Sequence, residues 1–195
     1  MSPAVHVALV HHPVLDRAGR IVTTAVTNLD IHDIARASRT YGVNRYFLVS
    51  PIAAQRDLVE RIVSHWKSGA SAERIPERGQ ALALVRVVPS IAAAQAAIQE
   101  AEGQAPFVIA TAARSLGRPT LAFAEARRRL EAGQGPPWLL LFGTGWGLAD
   151  EVLQAADALL PPLLGPTDYN HLSVRAAAAI VLDRLLHVSG PGSPG

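Results

Sequence analysis

The sequence predicts an α/β fold: a mostly parallel sheet with helices on both faces. Short apolar runs alternate with segments of helical periodicity along most of the chain. The runs are apolar throughout, as strands buried on both faces are, and do not alternate with polar residues. Size agrees, because 195 residues with 49% apolar composition bury a full core, so residues 1–188 are expected to form a single domain.

The first strand is expected over 4–10, ended by His11-His12-Pro13, with turn chemistry at Asp16-Arg17-Ala18-Gly19-Arg20. Asn28 or Asp30 is the expected cap of a helix carrying Ile31, Ile34, Ala35 and Ser38 on one side, closed by Gly42. A second strand at 46–49 stops at Ser50-Pro51, and Leu58, Val59, Ile62 and Trp66 mark an amphipathic helix over 55–66. The order then repeats: strand 81–88, helix 91–101, strand 107–110, helix 120–132, strand 138–142, helix 149–156, strand 158–160 and helix 172–187. The Gly- and Pro-rich stretch 189–195 reads as a disordered tail.

Composition excludes several functions. Without cysteine there is no disulfide, thiolate nucleophile or thiolate metal site. No apolar run reaches the roughly 18–20 residues that span a bilayer, and 4–10 lacks the basic flank of a leader, so a cytoplasmic protein is expected. The histidines have no metal-ligand spacing, and no metal is expected. Seventeen arginines stand against a single lysine, Lys67, yet the net charge is only +2. Arg36, Arg39 and Arg45, then Arg56, Arg61, His65, Lys67 and Arg74, fall in two groups that read either as solvated helix faces or as a phosphate-contacting patch.

The most specific signal lies late in the chain. Gly143-Thr144-Gly145-Trp146-Gly147 follows a strand and precedes a helix, where glycines let a backbone approach a ligand. Its spacing is not that of the dinucleotide fingerprint, and no lysine follows to make a phosphate loop. Thr111-Ala112-Ala113-Arg114 leaves another strand at its carboxyl end, and Leu163-Leu164 with Tyr169-Asn170-His171-Leu172 leads into an alanine-rich helix. Ligands of open α/β sheets bind at carboxyl strand ends, so these loops are expected to share one pocket.

Together these segments resemble the three motif regions of the SPOUT, or α/β-knot, superfamily of S-adenosylmethionine-dependent RNA methyltransferases. Residues 28–43 resemble the first motif, with Arg36 six residues before Gly42; 140–148 resemble the second and 169–180 the third. The likeness lies closest to a bacterial subgroup near the tRNA guanine-N1 methyltransferases. It implies a Rossmann-like sheet, a C-terminal trefoil knot, a homodimer, and RNA, most simply tRNA, as substrate. It implies cofactor contacts from Thr111, Ala112, Arg114, Gly143, Thr144, Gly145, Gly147, Leu163, Leu164, Tyr169, Asn170, His171 and Leu172. The catalytic candidates are Asp33, Asp30, His171 and Arg36; Asp33 and Arg36 are spaced to pair on their helix. Arginine is a poor base at neutral pH, which gives Arg36 an orienting role and leaves a carboxylate or histidine to take the proton. Asp30 stands where the ribose-methylating branch has asparagine, so base and ribose targets both stay open. The competing readings are a non-catalytic knot-fold RNA-binding or assembly factor and a nucleotide-dependent oxidoreductase.

Overall fold

The computed structural model describes residues 3–67 and 73–188; the expected tail lies outside them. Strands β1 (Val5–Val10), β2 (Val14–Leu15) and β3 (Ile21–Val22) come first, followed by α1 (Asn28–Thr40), β4 (Arg45–Val49) and α2 (Ala53–Lys67). Next are α3 (Pro76–Leu82), β5 (Val85–Val88), α4 (Ile91–Glu102), β6 (Phe107–Ala110) and α5 (Phe123–Glu131). The chain then forms β7 (Trp138–Gly143), α6 (Asp150–Ala155), β8 (Ala158–Leu159) and α7 (Val174–Leu186).

Six strands form one sheet in the order β5-β4-β1-β7-β6-β8, every neighbouring pair parallel. Both faces are buried, which is why the strands are mostly apolar, with His6 in β1, Arg45 in β4 and Arg86 in β5 as the exceptions. Val7, Leu9, Tyr46, Leu48, Leu140 and Phe142 pack with α1, α2, α3, α5 and α7. The alternate residues Ala8, Val10, Phe47, Val49, Leu139 and Leu141 pack with α4, α6 and the hairpin residue Val14. The chain builds outward from β1 through β4 and β5, then crosses to β6 on the other side, and β7 inserts between β6 and β1, so strand order reverses between β1 and β7. The crevice at such a reversal, beyond the carboxyl ends, is where α/β sheets bind ligands.

Several local expectations are corrected. The cap of α1 is Thr27, whose hydroxyl accepts from the Asp30 amide, and neither Asn28 nor Asp30 takes that place. Its extended backbone leaves the hydroxyl free to satisfy an amide that has no partner in the first turn, worth about 1 kcal/mol. Gly42 does close the helix, at φ +71°. The apolar residues Ala81 and Leu82, expected in a strand, end helix α3 instead, and β5 begins at Val85. The hairpin β2–β3 was not anticipated; its turn is the expected one, with Asp16 accepting from the amides of Ala18 and Arg20.

Candidate functional site

One cavity of about 1020 Å³ opens at the carboxyl edge of the sheet. Its walls are residues 111–115 after β6, 142–148 at the end of β7, 160–164 after β8 and 170–175 before α7, with Thr24, Ala25, Thr27 and Asp30 opposite. The three late loops predicted to converge therefore do so.

Each loop is held by backbone-directed hydrogen bonds. Thr111 donates its amide and hydroxyl to the Leu141 carbonyl, at 3.1 and 2.9 Å, and Leu160 donates to Ala110 at 3.0 Å. The Asn170 amide donates to the Ala113 carbonyl, stitching the first wall to the last. Across the reversal point, Thr144 donates its amide and hydroxyl to the Val10 carbonyl at 3.2 and 3.1 Å.

The hairpin clamps the glycine loop. Leu15 donates to Gly147 and accepts from Trp146, both at 2.9 Å, and Ala149 donates to Pro13 at 3.2 Å. Gly145, at φ +60°, has no room for a side chain: a Cβ there would lie 2.9 Å from the Leu15 carbonyl oxygen and 3.3 Å from the Thr24 methyl. A Cβ on Gly143 would meet the Leu148 amide nitrogen at 2.5 Å. Both glycines thus serve close packing of the loop on itself and the hairpin. At Gly147, φ +104°, nothing lies within 4 Å of that position, so conformation alone requires glycine there.

Behind the loop runs a hydrogen-bonded chain. His11 Nδ1 lies 3.0 Å from the Thr24 hydroxyl, which contacts the Thr144 hydroxyl. The carbonyl of Val10 only accepts, so Thr144 donates to it; Thr24 then donates to Thr144, and His11 must donate from Nδ1–H. Its Nε2 is left as a buried acceptor with no partner among the described residues. Burial lowers the His11 pKa to about 4, against opposing contributions from Asp30 and the Thr24 contact.

Asp30 is the acidic group on the cavity wall. It is 5% exposed, and its two oxygens accept from Arg175 at 2.7 Å and from Thr27 at 2.6 Å. Arg175 also reaches Asp33 at 3.5 Å. The expected Asp33–Arg36 pair is replaced by this contact, which ties α1 to α7. Arg36 is exposed, lies outside the cavity wall and makes no ion pair among the described residues. Asp33 also lies off the wall.

Of the predicted cofactor residues, Thr111, Ala112, Arg114, Gly143, Thr144, Gly145, Gly147, Leu163, Leu164, Asn170, His171 and Leu172 all line the cavity. Tyr169 does not; it is 74% exposed and meets the His171 ring edge-on at 5.3 Å. Arg114 sits 3.7 Å from Asp150 at an exposed rim. Sequence reasoning missed Thr24, Thr27 and Arg175. The hairpin that brings Thr24 to the loop has strands of two residues each, too short to show a period.

A parallel sheet whose carboxyl strand ends open on one cavity where the strand order reverses defines a ligand-binding α/β protein. The particular kind follows from comparison with known proteins: a family model described as SAM-dependent RNA methyltransferase matches residues 4–187, and the chain belongs to that family. It is 46% identical over 179 residues to a tRNA (guanine-N(1)-)-methyltransferase of Oleidesulfovibrio alaskensis, covering 92% of this chain but 41% of that relative. The chain thus spans about two fifths of the length of this curated relative. An uncharacterized protein of Aquifex aeolicus is 37% identical, with 93% of this chain and 87% of that one covered. Among solved structures, the SpoU methyltransferase AviRb of Streptomyces viridochromogenes in complex with AdoMet superposes at a TM-score of 0.57 and 16% identity, covering 95% of this chain and 58% of that one. That likeness concerns the fold.

The cavity suits the family's cofactor. Its volume is at the upper limit of the roughly 300–1,000 Å³ usual for small-molecule sites. Ala112, Ala113, Ser115 and the three loop glycines on its wall let main-chain groups reach a flat ligand edge.

Proposed function

We propose that this chain transfers a methyl group from S-adenosylmethionine to RNA, with tRNA as the substrate class, in the cavity at the carboxyl edge of the sheet. The observation that carries the reading is the convergence of residues 111–115, 142–148 and 170–175 on one backbone-lined cavity with a buried carboxylate on its wall. When bound, the cofactor supplies an electrophilic methyl group, so the protein needs only to align the nucleophile, exclude water and accept a proton.

Asp30 is the general base in this reading. Each of its oxygens keeps a free lone-pair site after the bonds to Arg175 and Thr27, and it lies in the cavity, unlike Asp33 and Arg36. Arg175 orients that carboxylate. The backbone of Leu163, Leu164 and 170–172 faces the cofactor together with Thr111, Ala112 and the glycine loop, while the His171 ring stands at the rim.

The chain works as one domain, 1–188, in the cytoplasm, and no helix of the described residues is long and apolar enough to cross a membrane. Residues 160–175 thread the trefoil knot of the superfamily it resembles; in support, this stretch bonds to Ala110 and Ala113 on its way to α7. A homodimer is supported by exposed Leu29, Leu164, Tyr169 and Leu172, at 61, 70, 74 and 48%. Exposed Arg36, outside the wall of its own cavity, then orients RNA at the neighbouring protomer's site.

Labelled methyl incorporation into RNA from a strain lacking the gene tests this reading. Wild type labels RNA, and Arg36→Ala lowers the rate while binding S-adenosylmethionine normally. No incorporation by wild type contradicts the reading, and full incorporation by Arg36→Ala removes the trans role of Arg36.

A further inference from the structure

The chain has three tryptophans, and two of them are packed. Trp138 is 4% exposed with its ring 5.8 Å from Phe107. Trp66 carries the Arg78 guanidinium 4.8 Å over its ring and His32 edge-on at 5.6 Å. Trp146 differs: it is 59% exposed, lines the mouth of the cavity, and neither its ring nor its indole N–H has a partner among the described residues.

Its placement is rigid. Gly147 donates to the Thr144 carbonyl at 3.0 Å, closing a four-residue turn. Gly145 has φ +60° and no non-glycine residue among the described ones, Trp146 included, has positive φ, which defines a type II′ turn with Trp146 at its second central position. Leu15 bonds the turn on both sides, at 2.9 Å each. The backbone of Trp146 is therefore fixed at the edge of the cavity, and a large apolar ring stands exposed there, where collapse onto the protein would hide it from water.

We propose that the Trp146 indole is a stacking platform that holds an unpaired nucleobase of the RNA beside the reacting position. This rests on the methyltransferase reading above. RNA is read chiefly through unpaired bases laid on aromatic faces, because every base has a π-face and the ring needs no hydrogen-bond match. The cavity of about 1020 Å³ is at the upper limit of small-molecule sites and opens to solvent beside Trp146, where a second planar group can reach the ring.

The test compares the full chain with Trp146→Ala and Trp146→Phe, using RNA from a strain lacking the gene and S-adenosylmethionine alone as separate probes. Trp146→Ala should raise KM for RNA roughly five- to hundredfold, the range one stacked base supplies. It should leave S-adenosylmethionine affinity within about twofold. Trp146→Phe should keep most of the RNA affinity, since a π-face remains. RNA should quench wild-type tryptophan emission, and that quench should vanish in Trp146→Phe. The proposal is overturned if Trp146→Ala keeps its KM for RNA, loses cofactor affinity in equal measure, or alters only the sedimenting mass. If wild type itself binds neither RNA nor S-adenosylmethionine, the methyltransferase reading fails first and this one with it.

Discussion

The two ends of β1 carry the same residue type in the same degree of burial, with opposite consequences. His6, near the amino end, is fully buried beside Phe47 at 6.2 Å and Glu102 at 3.4 Å. Burial, helped by the positive charge of Arg45, lowers its pKa to about 4. His11, just past the carboxyl end, is equally buried and lowered as far. Yet His6 is not on the wall of the site cavity, whereas His11 is wired through Thr24 and Thr144 to the glycine loop. A strongly perturbed histidine is thus no marker of the site in this fold. What marks it is connection to the carboxyl edge, where the strand order reverses.

The largest effect is expected at Asp30, the buried carboxylate on the cavity wall. Asp30→Asn keeps the shape and an acceptor for Arg175 but removes the proposed base. It should lower kcat by about 10²–10⁴-fold with S-adenosylmethionine affinity retained, as steady-state kinetics and calorimetry would show. An unchanged kcat would remove Asp30 from proton transfer.

Gly145→Val comes next. Its Cβ would press on the Leu15 carbonyl at 2.9 Å in a backbone conformation that branched side chains rarely adopt. A cost of about 1–3 kcal/mol from strain alone is expected, read as a lower urea midpoint together with lost cofactor affinity. Loss of binding with full stability would mean the glycine serves ligand approach and not packing.

Thr24→Val breaks the chain between His11 and Thr144 while keeping the shape. It should cost about 1–3 kcal/mol, divided between stability and cofactor affinity, and Thr24→Ser should restore most of it. Failure of the serine rescue would show that the methyl contact with the loop matters and the hydroxyl does not.

The effect that vanishes at neutral pH belongs to the amino end. Both histidines have folded pKa values near 4 against about 6.5 unfolded, so between those values the unfolded chain binds more protons. Stability is therefore complete above about pH 6.5 and falls as pH drops toward 4, by up to about 1.4 kcal/mol per pH unit for each histidine. His6→Phe should remove about half of that slope and leave cofactor binding at pH 7.5 unchanged. A changed affinity would erase the distinction between the two ends.

The fold was legible in the sequence because burial on both faces leaves plain apolar runs. β6 matches its expected span to the residue, and β1, β4 and β7 are off by one. The failures have local causes. Ala81 and Leu82 extend an apolar run whose period cannot separate helix from strand, and the neighbouring Pro76 at the start of α3 was the overlooked signal. At the site, the glycine loop and the two polar stretches could be read because close backbone approach demands small residues there. Thr24, Thr27 and Arg175 could not be, because ordinary polar side chains carry no spacing signal and meet only through tertiary contacts. Arg175 could pair with Asp30 and Asp33 only after α7 folded against α1, which no helical spacing rule foresees.

Calorimetric titration of the chain with S-adenosylmethionine, set beside NAD, tests the central claim most directly. One saturable site per chain is expected for S-adenosylmethionine, with no heat from NAD and the site abolished in Gly145→Val. Binding of NAD in preference, or of neither ligand, would contradict the account.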